Sequence, residues 1–451
     1  MTNPRTNAPG TRHSRVPGAR EQAPGSTRTL LVEDGARVRR TVLPGGLRVV
    51  TENVPGVRSA SFGIWVGVGS RDETPAQAGA AHYLEHLLFK GTAGRSAREI
   101  AEAVDAVGGD MNAFTTKEYT AFYVRALAED LGLGLEILGD IMTAPALRKE
   151  EVDAERQVIL EEVLMHLDEP SDVVQERFAA AVFPGHTLGR EVLGLPEVIN
   201  SVEVPEIRAF FEGHYRPGNI VVAAAGDVDH ARLAEVIEAR FAGAPLGGPP
   251  TRHQPGPAQR QVDVLGRETE QAQLVLGVRA PERRAPERFA LNLLNHSLGG
   301  GLSSRLFQKI REERGLAYSI VSERVAYQDA GALAVSVGTA PERAAQVLEL
   351  TLAEIAELAA HGVSDEELAL AKSHLRADTL LSLEESGSRM SRIGASLLLY
   401  DEVLAIDELA ARYETVSSDE IAEVAGRVLG GEMVLAVVGP FEDSAFSGVL
   451  G

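Results

Sequence analysis

The feature that most constrains the fold of this chain is an internal repeat of roughly 215 residues. A helix start around Glu151 recurs around Glu367, 216 residues later, and a strand end at Gly226 recurs at Gly439, 213 residues later. Solenoid repeats span only roughly 20–50 residues, so this spacing indicates duplication of a single α/β domain.

A stretch rich in proline and glycine separates the two copies. Residues 243–258 can continue neither a helix nor a central strand, so we interpret them as a linker. We predict an N-terminal domain over residues 31–242 and a homologous C-terminal domain over residues 259–451. The predicted fold class is α+β, with two tandem α/β domains that each contain a mixed β-sheet packed with helices.

The first thirty residues predict a disordered tail. They are rich in Pro, Gly, Thr and Arg and contain one acidic residue. An Arg-rich, acid-poor start also resembles a targeting segment, but four prolines within residues 1–30 disfavour the amphipathic helix that such a segment needs.

Composition excludes several classes of function. The formal net charge is −21, from 44 basic and 65 acidic residues, which argues against binding to nucleic acids or anionic membranes. No apolar run reaches the length of a membrane span. The chain has no cysteine, so a metal would have to bind histidine and carboxylate, and a cytoplasmic location is expected.

The segment Ala81–Phe89 contains the pattern H-x-x-E-H. His82 and His86 are four residues apart, so on a helix both imidazoles lie on one face and can bind one metal ion. Glu85 lies on the same side and can reach a metal-bound water without being a ligand, as a general base must. The same residues also fit an ordinary amphipathic core helix with a polar outer side.

A catalytic site of this kind needs a third protein ligand and an open fourth position. The predicted helix from about Lys149 to His166 carries many acids, most of which we expect on a solvated face. Glu155 and Glu162 are seven residues apart and therefore lie in line on one face. The residues alone leave the choice between these two carboxylates open.

The second copy lacks this chemistry. The positions that match Glu155 and Glu162 are Ala371 and Asp378, and no second H-x-x-E-H is present. His296, His361 and His374 are scattered without ligand spacing, so we interpret them as structural or surface histidines.

Taken together, these features resemble the M16 metallopeptidases, the family of pitrilysin, insulin-degrading enzyme and mitochondrial processing peptidase, whose signature is H-x-x-E-H. The resemblance covers most of the chain from about residue 31 to residue 439. It implies that Glu162, in the run from Glu155 to Glu162, is the zinc ligand and that Glu155 is a supporting carboxylate that orients the ligands.

The resemblance also implies residues that contact substrate. The stretch from Ile310 to Tyr318 is similar to a family segment with an Arg and a Tyr seven residues apart. By that match Arg311 holds the region around the scissile bond, and Tyr318 donates a hydrogen bond to the developing oxyanion. The alternatives without a functional role are that Arg311 is an ordinary surface charge and that Tyr318 is an aromatic residue in the core of a strand.

The stretch Asn112-Ala113-Phe114-Thr115 resembles the family's edge strand beside the zinc, and Asn112, Ala113 and Phe114 are the residues expected to contact substrate. A peptide substrate adds to such an edge as an extra strand, so main-chain hydrogen bonds supply affinity with little sequence preference. The alternative is a plain hairpin strand.

The function implied is that of a zinc endopeptidase with one Zn²⁺ per chain, which hydrolyses peptides or unfolded protein segments. A His₂Glu site can also take cobalt or manganese. A chain of this length resembles family members that form dimers around a chamber. The presence of the metal motif together with Arg311 and Tyr318 favours a homodimer, and the alternative is a complex with a homologous partner subunit. The alternative function is a non-catalytic or partner subunit of an M16-type complex.

Overall fold

The computed structural model describes residues 22–33 and 35–450. Its N-terminal half contains strands β1 (Thr27–Glu33), β2 (Ala36–Val42), β3 (Arg48–Asn53), β4 (Ser59–Val66), β5 (Asp110–Thr115), β6 (Thr120–Leu127) and β7 (Ile220–Gly226). The helices of this half are α1 (Ala80–Leu88), α2 (Ala97–Ala106), α3 (Leu131–Thr143), α4 (Lys149–Asp168), α5 (Pro170–Val182), α6 (Pro196–Ser201), α7 (Val204–His214) and α8 (His230–Arg240).

The C-terminal half contains strands β8 (Gln261–Gly266), β9 (Ala272–Ala280), β10 (Ala317–Ala326), β11 (Gly331–Thr339) and β12 (Met433–Gly439). Its helices are α9 (Arg288–Asn295), α10 (Ala344–His361), α11 (Asp365–Leu381), α12 (Ser386–Tyr400), α13 (Ile406–Glu414) and α14 (Ser418–Leu429), and His296–Gly300 and Phe307–Glu312 are π-helical. None of the described helices combines the length and apolar character needed to cross a membrane.

The two halves follow the same order of elements, as the internal repeat predicts. In each, a central strand (β4 or β9) leads to helices, then to an antiparallel hairpin, then to three helices (α3–α5 or α10–α12) and later to a second central strand (β7 or β12). Among the described residues the strand orders are β1-β2-β3-β7-β4-β6-β5 and β10-β11-β9-β12-β8. Each sheet is mixed, because β3 pairs with β7, and β8 with β12, in parallel. The predicted fold class is therefore confirmed.

The predicted tail over residues 1–30 falls mainly outside the described residues. For residues 27–30 the prediction is wrong, because they begin strand β1, which pairs antiparallel with β2. Strand β1 is an edge strand with mostly exposed or half-buried side chains, so it lacks the continuous apolar run that reveals a central strand.

Each sheet is apolar on both faces and needs a helical layer on each side. In β4, Phe62 and Ile64 point into one core cluster, whereas Trp65 points into another. The first cluster is covered by helices of the same domain, such as α3. The second is covered by Met390, Ile393 and Leu397 of α12, which belongs to the C-terminal half.

The converse holds for the second sheet. Val174, Phe178 and Val182 of α5, from the N-terminal half, pack on Val275 of β9 and Ala436 of β12. The two halves thus exchange one helix each, and neither half covers both faces of its own sheet with its own helices.

A buried cluster of charges also joins the halves. The Glu118 carboxylate, in the turn between β5 and β6, accepts hydrogen bonds from Arg71 (2.6 Å), from Arg283, and from the N–H of Gln328 (3.0 and 3.1 Å). Arg71 also donates to Asp329 at 2.7 Å. We call Arg71, Asp72, Glu118, Arg252, Arg283 and Asp329 the interdomain charge cluster.

The predicted linker contributes to this cluster. Residues 243–258 contain no helix or strand, yet Arg252 donates to the Asp72 carboxylate at 2.8 and 2.7 Å and to the Glu118 carbonyl at 2.7 Å. The side chains of Arg252 and Asp72 are 8% and 2% exposed. The linker is therefore held against both domains by charge-assisted hydrogen bonds.

Replacing Glu118 tests the cluster. Arg71 and Arg252 keep Asp329 and Asp72, but Glu118→Gln removes the one carboxylate that pairs with buried Arg283 among the described residues. We therefore expect the free energy of unfolding to fall by about 3–5 kcal/mol in urea titrations at pH 7. The exposed Glu102→Gln, whose pair with Arg98 is on the surface, should change it by less than about 0.5 kcal/mol. A loss below about 1 kcal/mol for Glu118→Gln would contradict a stabilising role for the cluster.

The stability difference between wild type and Glu118→Gln should also depend on pH. Burial raises the pKa of Glu118, but Arg283, Arg252 and the Gln328 N–H outweigh it and hold the pKa below its ordinary 4.5. The carboxylate's contribution to stability is therefore complete above pH 4.5 and is lost as the pH falls through the folded-state pKa. The stability difference between wild type and Glu118→Gln should shrink over that acidic range.

Candidate metal centre

Helix α1 starts where the backbone allows only glycine. Gly79 has a φ of +100°, and a Cβ atom there would lie 2.5 Å from Ile199 Cδ1 and 2.8 Å from the Leu193 carbonyl. The Glu73 carboxylate accepts hydrogen bonds from the N–H groups of Gly79 (2.9 Å) and Ala81 (2.8 Å). Burial raises the pKa of Glu73 to about 8, while these two donors lower it. Glu73 thus caps the helix that carries both histidines.

Helix α4 is held against α1 by buried polar contacts. The Tyr83 hydroxyl, on the fully buried side of α1, donates to the Val152 carbonyl of α4. One helical turn further along α4, Arg156 lies over the Tyr83 ring and donates to the carbonyls of Ile199 and Val202, the latter at 2.8 Å. These contacts fix the spacing and the rotation of α4 relative to α1.

This packing brings the three predicted ligands together. His82 Nε2 lies 3.2 Å from His86 Nε2, and Glu162 Oε2 lies 3.7 Å from the former and 3.6 Å from the latter. All three atoms lie within 4.8 Å of one another, and no other such group of three His, Cys, Asp or Glu side chains occurs in the described chain.

The three side chains suit a zinc ion. Ligand atoms about 2.0–2.1 Å from a tetrahedral zinc lie about 3.3–3.4 Å apart, close to the separations found here. Two imidazoles and one carboxylate form a donor set of catalytic zinc sites, in which the fourth position stays open. The side chain of Glu162 is 37% exposed, so the cluster is accessible from solvent on that side.

Glu155 fixes the tautomer of His86. The two groups lie 2.8 Å apart, and Lys90 Nζ lies 2.7 Å from the other carboxylate oxygen. Burial raises the pKa of Glu155, but the hydrogen bonds from His86 and Lys90 outweigh it and lower the pKa. The ionised carboxylate only accepts, so His86 Nδ1 carries the hydrogen and its Nε2 lone pair faces the cluster.

The two histidines differ in their electrostatics. Burial, and then the neighbouring His86, lower the pKa of His82 to about 4, so its imidazole is neutral at physiological pH. Burial also lowers the pKa of His86, but Glu155, Glu162 and Glu85 together outweigh burial and raise it. The acidic surroundings therefore favour positive charge at the position between the rings.

Glu85 lies beside the three ligand atoms without belonging to the cluster. Its Oε2 accepts a hydrogen bond of 2.5 Å from the Thr115 hydroxyl at the end of β5. Burial raises the pKa of Glu85, while the Thr115 hydrogen bond and His86 lower it. A carboxylate with a raised pKa is suited to proton transfer near neutral pH.

The predicted substrate strand lies at the edge of the first sheet. Strand β5 pairs with β6 on one side and is the last strand in the sheet order. Asn112 and Phe114 are exposed, and Ala113 between them is half-buried. Because α1 packs next to β5, this edge borders the histidine helix.

Arg311 and Tyr318 contact each other and not the cluster. The Arg311 guanidinium lies over the rings of Phe307 (4.8 Å) and Tyr318 (5.9 Å), and Tyr318 is 78% exposed. No hydrogen bond, ion pair or ring contact joins either residue to His82, His86 or Glu162 within the described residues.

The histidines of the second domain have ordinary surroundings. His296 is buried and stacks on His374, with ring centroids 4.3 Å apart, and His361 lies near Glu357 on the surface of α10.

Sequence reasoning missed the residues that hold the site in shape: Glu73, Tyr83, Thr115 and Arg156. Glu73 lies too far from α1 in the chain for a capping pattern, and Tyr83 and Arg156 resemble any helical side chain. Thr115 follows Phe114 in the predicted substrate strand, and only the tertiary contact with Glu85 reveals its role.

Comparison with protein families identifies both halves. Residues 48–195 match the family model described as Insulinase (Peptidase family M16), and residues 201–375 match the one described as Peptidase M16 inactive domain. The second description agrees with the absence of a metal cluster from the described part of the C-terminal half.

The chain is similar over most of its length to bacterial proteins named as uncharacterized zinc proteases. It is 46% identical over 419 residues to one from Streptomyces coelicolor, with 91% of each chain covered. It is 43% identical to one from Mycobacterium tuberculosis, covering 89% of this chain and 93% of the relative, and 35% identical to YmxG of Bacillus subtilis, covering 89% and 98%.

Two solved structures share the fold. A peptidase M16 inactive domain from Pseudomonas fluorescens superposes with a TM-score of 0.84 at 20% identity, covering 90% of this chain and 98% of that chain. A protease from Helicobacter pylori gives the same TM-score at 24% identity, covering 89% and 99%. From the two family models and the near full-length relatives, the chain belongs to peptidase family M16.

Proposed function

We propose that this protein is a zinc-dependent endopeptidase that hydrolyses peptides or unfolded protein segments. The observation that carries the proposal is the convergence of His82, His86 and Glu162. The carboxylate of Glu85 is not part of this cluster, but it lies on α1, the helix that carries both histidines. The names of the relatives as zinc proteases support the same activity.

The proposed roles follow from this geometry. His82, His86 and Glu162 would hold one zinc ion per chain, whose Lewis acidity, when it is bound, acidifies a water molecule and polarises a peptide carbonyl. Glu85 accepts the proton of the attacking water on its carboxylate and passes it to the leaving amine. Glu155 keeps the Nδ1 hydrogen of His86 in place.

Substrate contacts are proposed on both domains. The exposed edge of β5, at Asn112, Ala113 and Phe114, would pair with the main chain of an extended peptide. Arg311 would hold the region around the scissile bond, and Tyr318 would donate its hydroxyl to the developing oxyanion. The exposure of Tyr318 leaves that hydroxyl free to meet a substrate.

We also propose a homodimer that encloses a chamber from four domains, which would restrict substrates to peptides and unfolded segments. One chain carries both the proposed metal ligands and the Arg311–Tyr318 pair, so no different subunit is needed to supply the proposed catalytic and substrate-binding residues. A homologous partner subunit is the alternative assembly. A non-catalytic subunit is the alternative function, but all four residues of the metal motif and base are kept in this chain.

Removing the base should abolish turnover and leave the metal bound. For Glu85→Gln we expect kcat on an internally quenched peptide to fall by at least about 100-fold, because general base catalysis is lost. Zinc content by mass spectrometry should equal that of the wild type, since Glu85 is not a ligand. Hydrolysis by Glu85→Gln at the wild-type rate would refute the proposed role.

Removing the third ligand should instead release the metal. For Glu162→Gln we expect zinc content to fall well below one ion per chain, with peptide hydrolysis falling in proportion. Chelation should likewise inactivate the wild type, and added zinc should restore it. The matched control is Glu161→Gln, one residue away on the outer side of α4, which should bind zinc like the wild type. Full zinc content in Glu162→Gln would exclude Glu162 as a ligand.

Light scattering tests the assembly. The chain has a mass of 48.1 kDa, so a homodimer should scatter with twice that mass under the conditions in which the enzyme is active. A species of 48.1 kDa alone under those conditions would contradict the dimer.

A further inference from the structure

Thr115 makes the one side-chain hydrogen bond found for the Glu85 carboxylate among the described residues. It is the last residue of β5, and its hydroxyl donates to Glu85 Oε2 at 2.5 Å. A short hydrogen bond to an ionised carboxylate is among the stronger ones in proteins. The other carboxylate oxygen of Glu85 has no such partner in the described chain, so it stays available.

The Thr115 hydroxyl lies between the side chains of Glu85 and Thr120. The hydroxyl of Thr120, its partner across the hairpin, lies 3.4 Å from Thr115 Oγ1 and 3.1 Å from the Val68 carbonyl. The Val68 carbonyl is the nearer acceptor for the single Thr120 hydrogen, so the close partner of the Thr115 hydroxyl is the Glu85 carboxylate, at 2.5 Å.

The backbone that carries Thr115 is fixed from several sides. Directly after it, the turn from Thr116 to Tyr119 is closed by an N–H to carbonyl bond of 2.8 Å. The N–H groups of Ser70 and Arg71 bind the carbonyls of Thr116 (3.2 Å) and Lys117 (2.8 Å). The same turn carries Glu118, the centre of the interdomain charge cluster, so the second domain also restrains it.

We propose that Thr115 is a positioning residue that holds the Glu85 side chain in the one rotamer that keeps its free oxygen beside the metal position. This inference rests on the proposed endopeptidase function, in which Glu85 moves the proton. Thr115 acts through Glu85 and touches neither the ligand atoms nor, on this proposal, the reacting atoms. The alternative to this proposal is that the Thr115 side chain serves only packing within strand β5.

The hydroxyl can be removed without changing the shape of the side chain. Thr115→Val replaces the hydroxyl with a methyl group and keeps the β-branched form that suits a strand. Thr115→Ser keeps the hydroxyl and removes a methyl group. If the position serves packing, Val is the milder change, whereas Ser is the milder change if it serves Glu85.

We expect Thr115→Val to lower kcat by at least about tenfold, the loss typical of a hydrogen bond to a charged group, with KM and zinc content unchanged. Thr115→Ser should keep kcat within about threefold of the wild type. Crystal structures should show Glu85 turned away from its wild-type rotamer in Thr115→Val and retained in Thr115→Ser. If Thr115→Val does not fold, Thr115→Ala provides a second variant without the hydroxyl.

The outcomes separate this inference from the proposed function. If the wild type hydrolyses peptides and Thr115→Val keeps both kcat and the Glu85 rotamer, the positioning role is overturned and the endopeptidase stands. If the zinc-loaded wild type hydrolyses nothing, the proposed function fails, and the Glu85 rotamer in the two crystal structures still decides whether Thr115 positions it. A Thr115→Ser protein as impaired as Thr115→Val would also overturn the inference.

Discussion

The structure depends on the need to cover two sheets that are apolar on both faces. A strand buried on both sides has a continuous apolar sequence, and each of its faces must meet another layer. Each half of this chain meets that need on one face by itself and on the other with a helix from its partner half. The exchange of α5 and α12 therefore makes the two sheets parts of one folded body, and the interdomain charge cluster closes the same interface with polar contacts.

This exchange has a direct consequence for the candidate metal centre. Helix α5 begins at Pro170, directly after α4 ends at Asp168, and it lies on the second sheet. Arg267 of the second domain also donates to the carbonyls of Leu167 and Asp168, at 2.5 and 3.1 Å. The helix that carries Glu162 thus contacts α1 near its start and the second domain at its end. The C-terminal domain therefore restrains the helix that carries Glu162, although it adds no side chain to the cluster of His82, His86 and Glu162.

The electrostatics of the centre favour a cation between the two rings. His82 is neutral because it is buried, and the tautomer of His86 is set by Glu155. Glu162 brings a carboxyl group from a second helix, and Glu85 a further one from α1. Because like charges destabilise one another when they are close, carboxylates so placed are stabilised by a bound divalent ion. The two carboxylates outside the cluster have partners of their own, Thr115 for Glu85 and Lys90 for Glu155.

Much of the fold and part of the candidate site could be predicted from the sequence. The repeat spacing revealed two domains, the apolar runs revealed the central strands, and the H-x-x-E-H spacing placed His82, Glu85 and His86 on one helix face. These patterns are local, because helix and strand periodicity translate spacing directly into direction. Strand β1 was not predicted because an exposed edge strand has no such pattern. The residues alone also left Glu155 and Glu162 as equal candidates for the third ligand.

Only the tertiary structure decided the rest. It placed Glu162 Oε2 within reach of both imidazoles and Glu155 behind His86, and it assigned α5 and α12 to each other's sheets. It also gave Thr115 its contact with Glu85, across 30 residues of chain. Contacts between segments distant in sequence depend on how whole elements pack, and packing is set by the shapes of many side chains at once, which no spacing along the chain encodes.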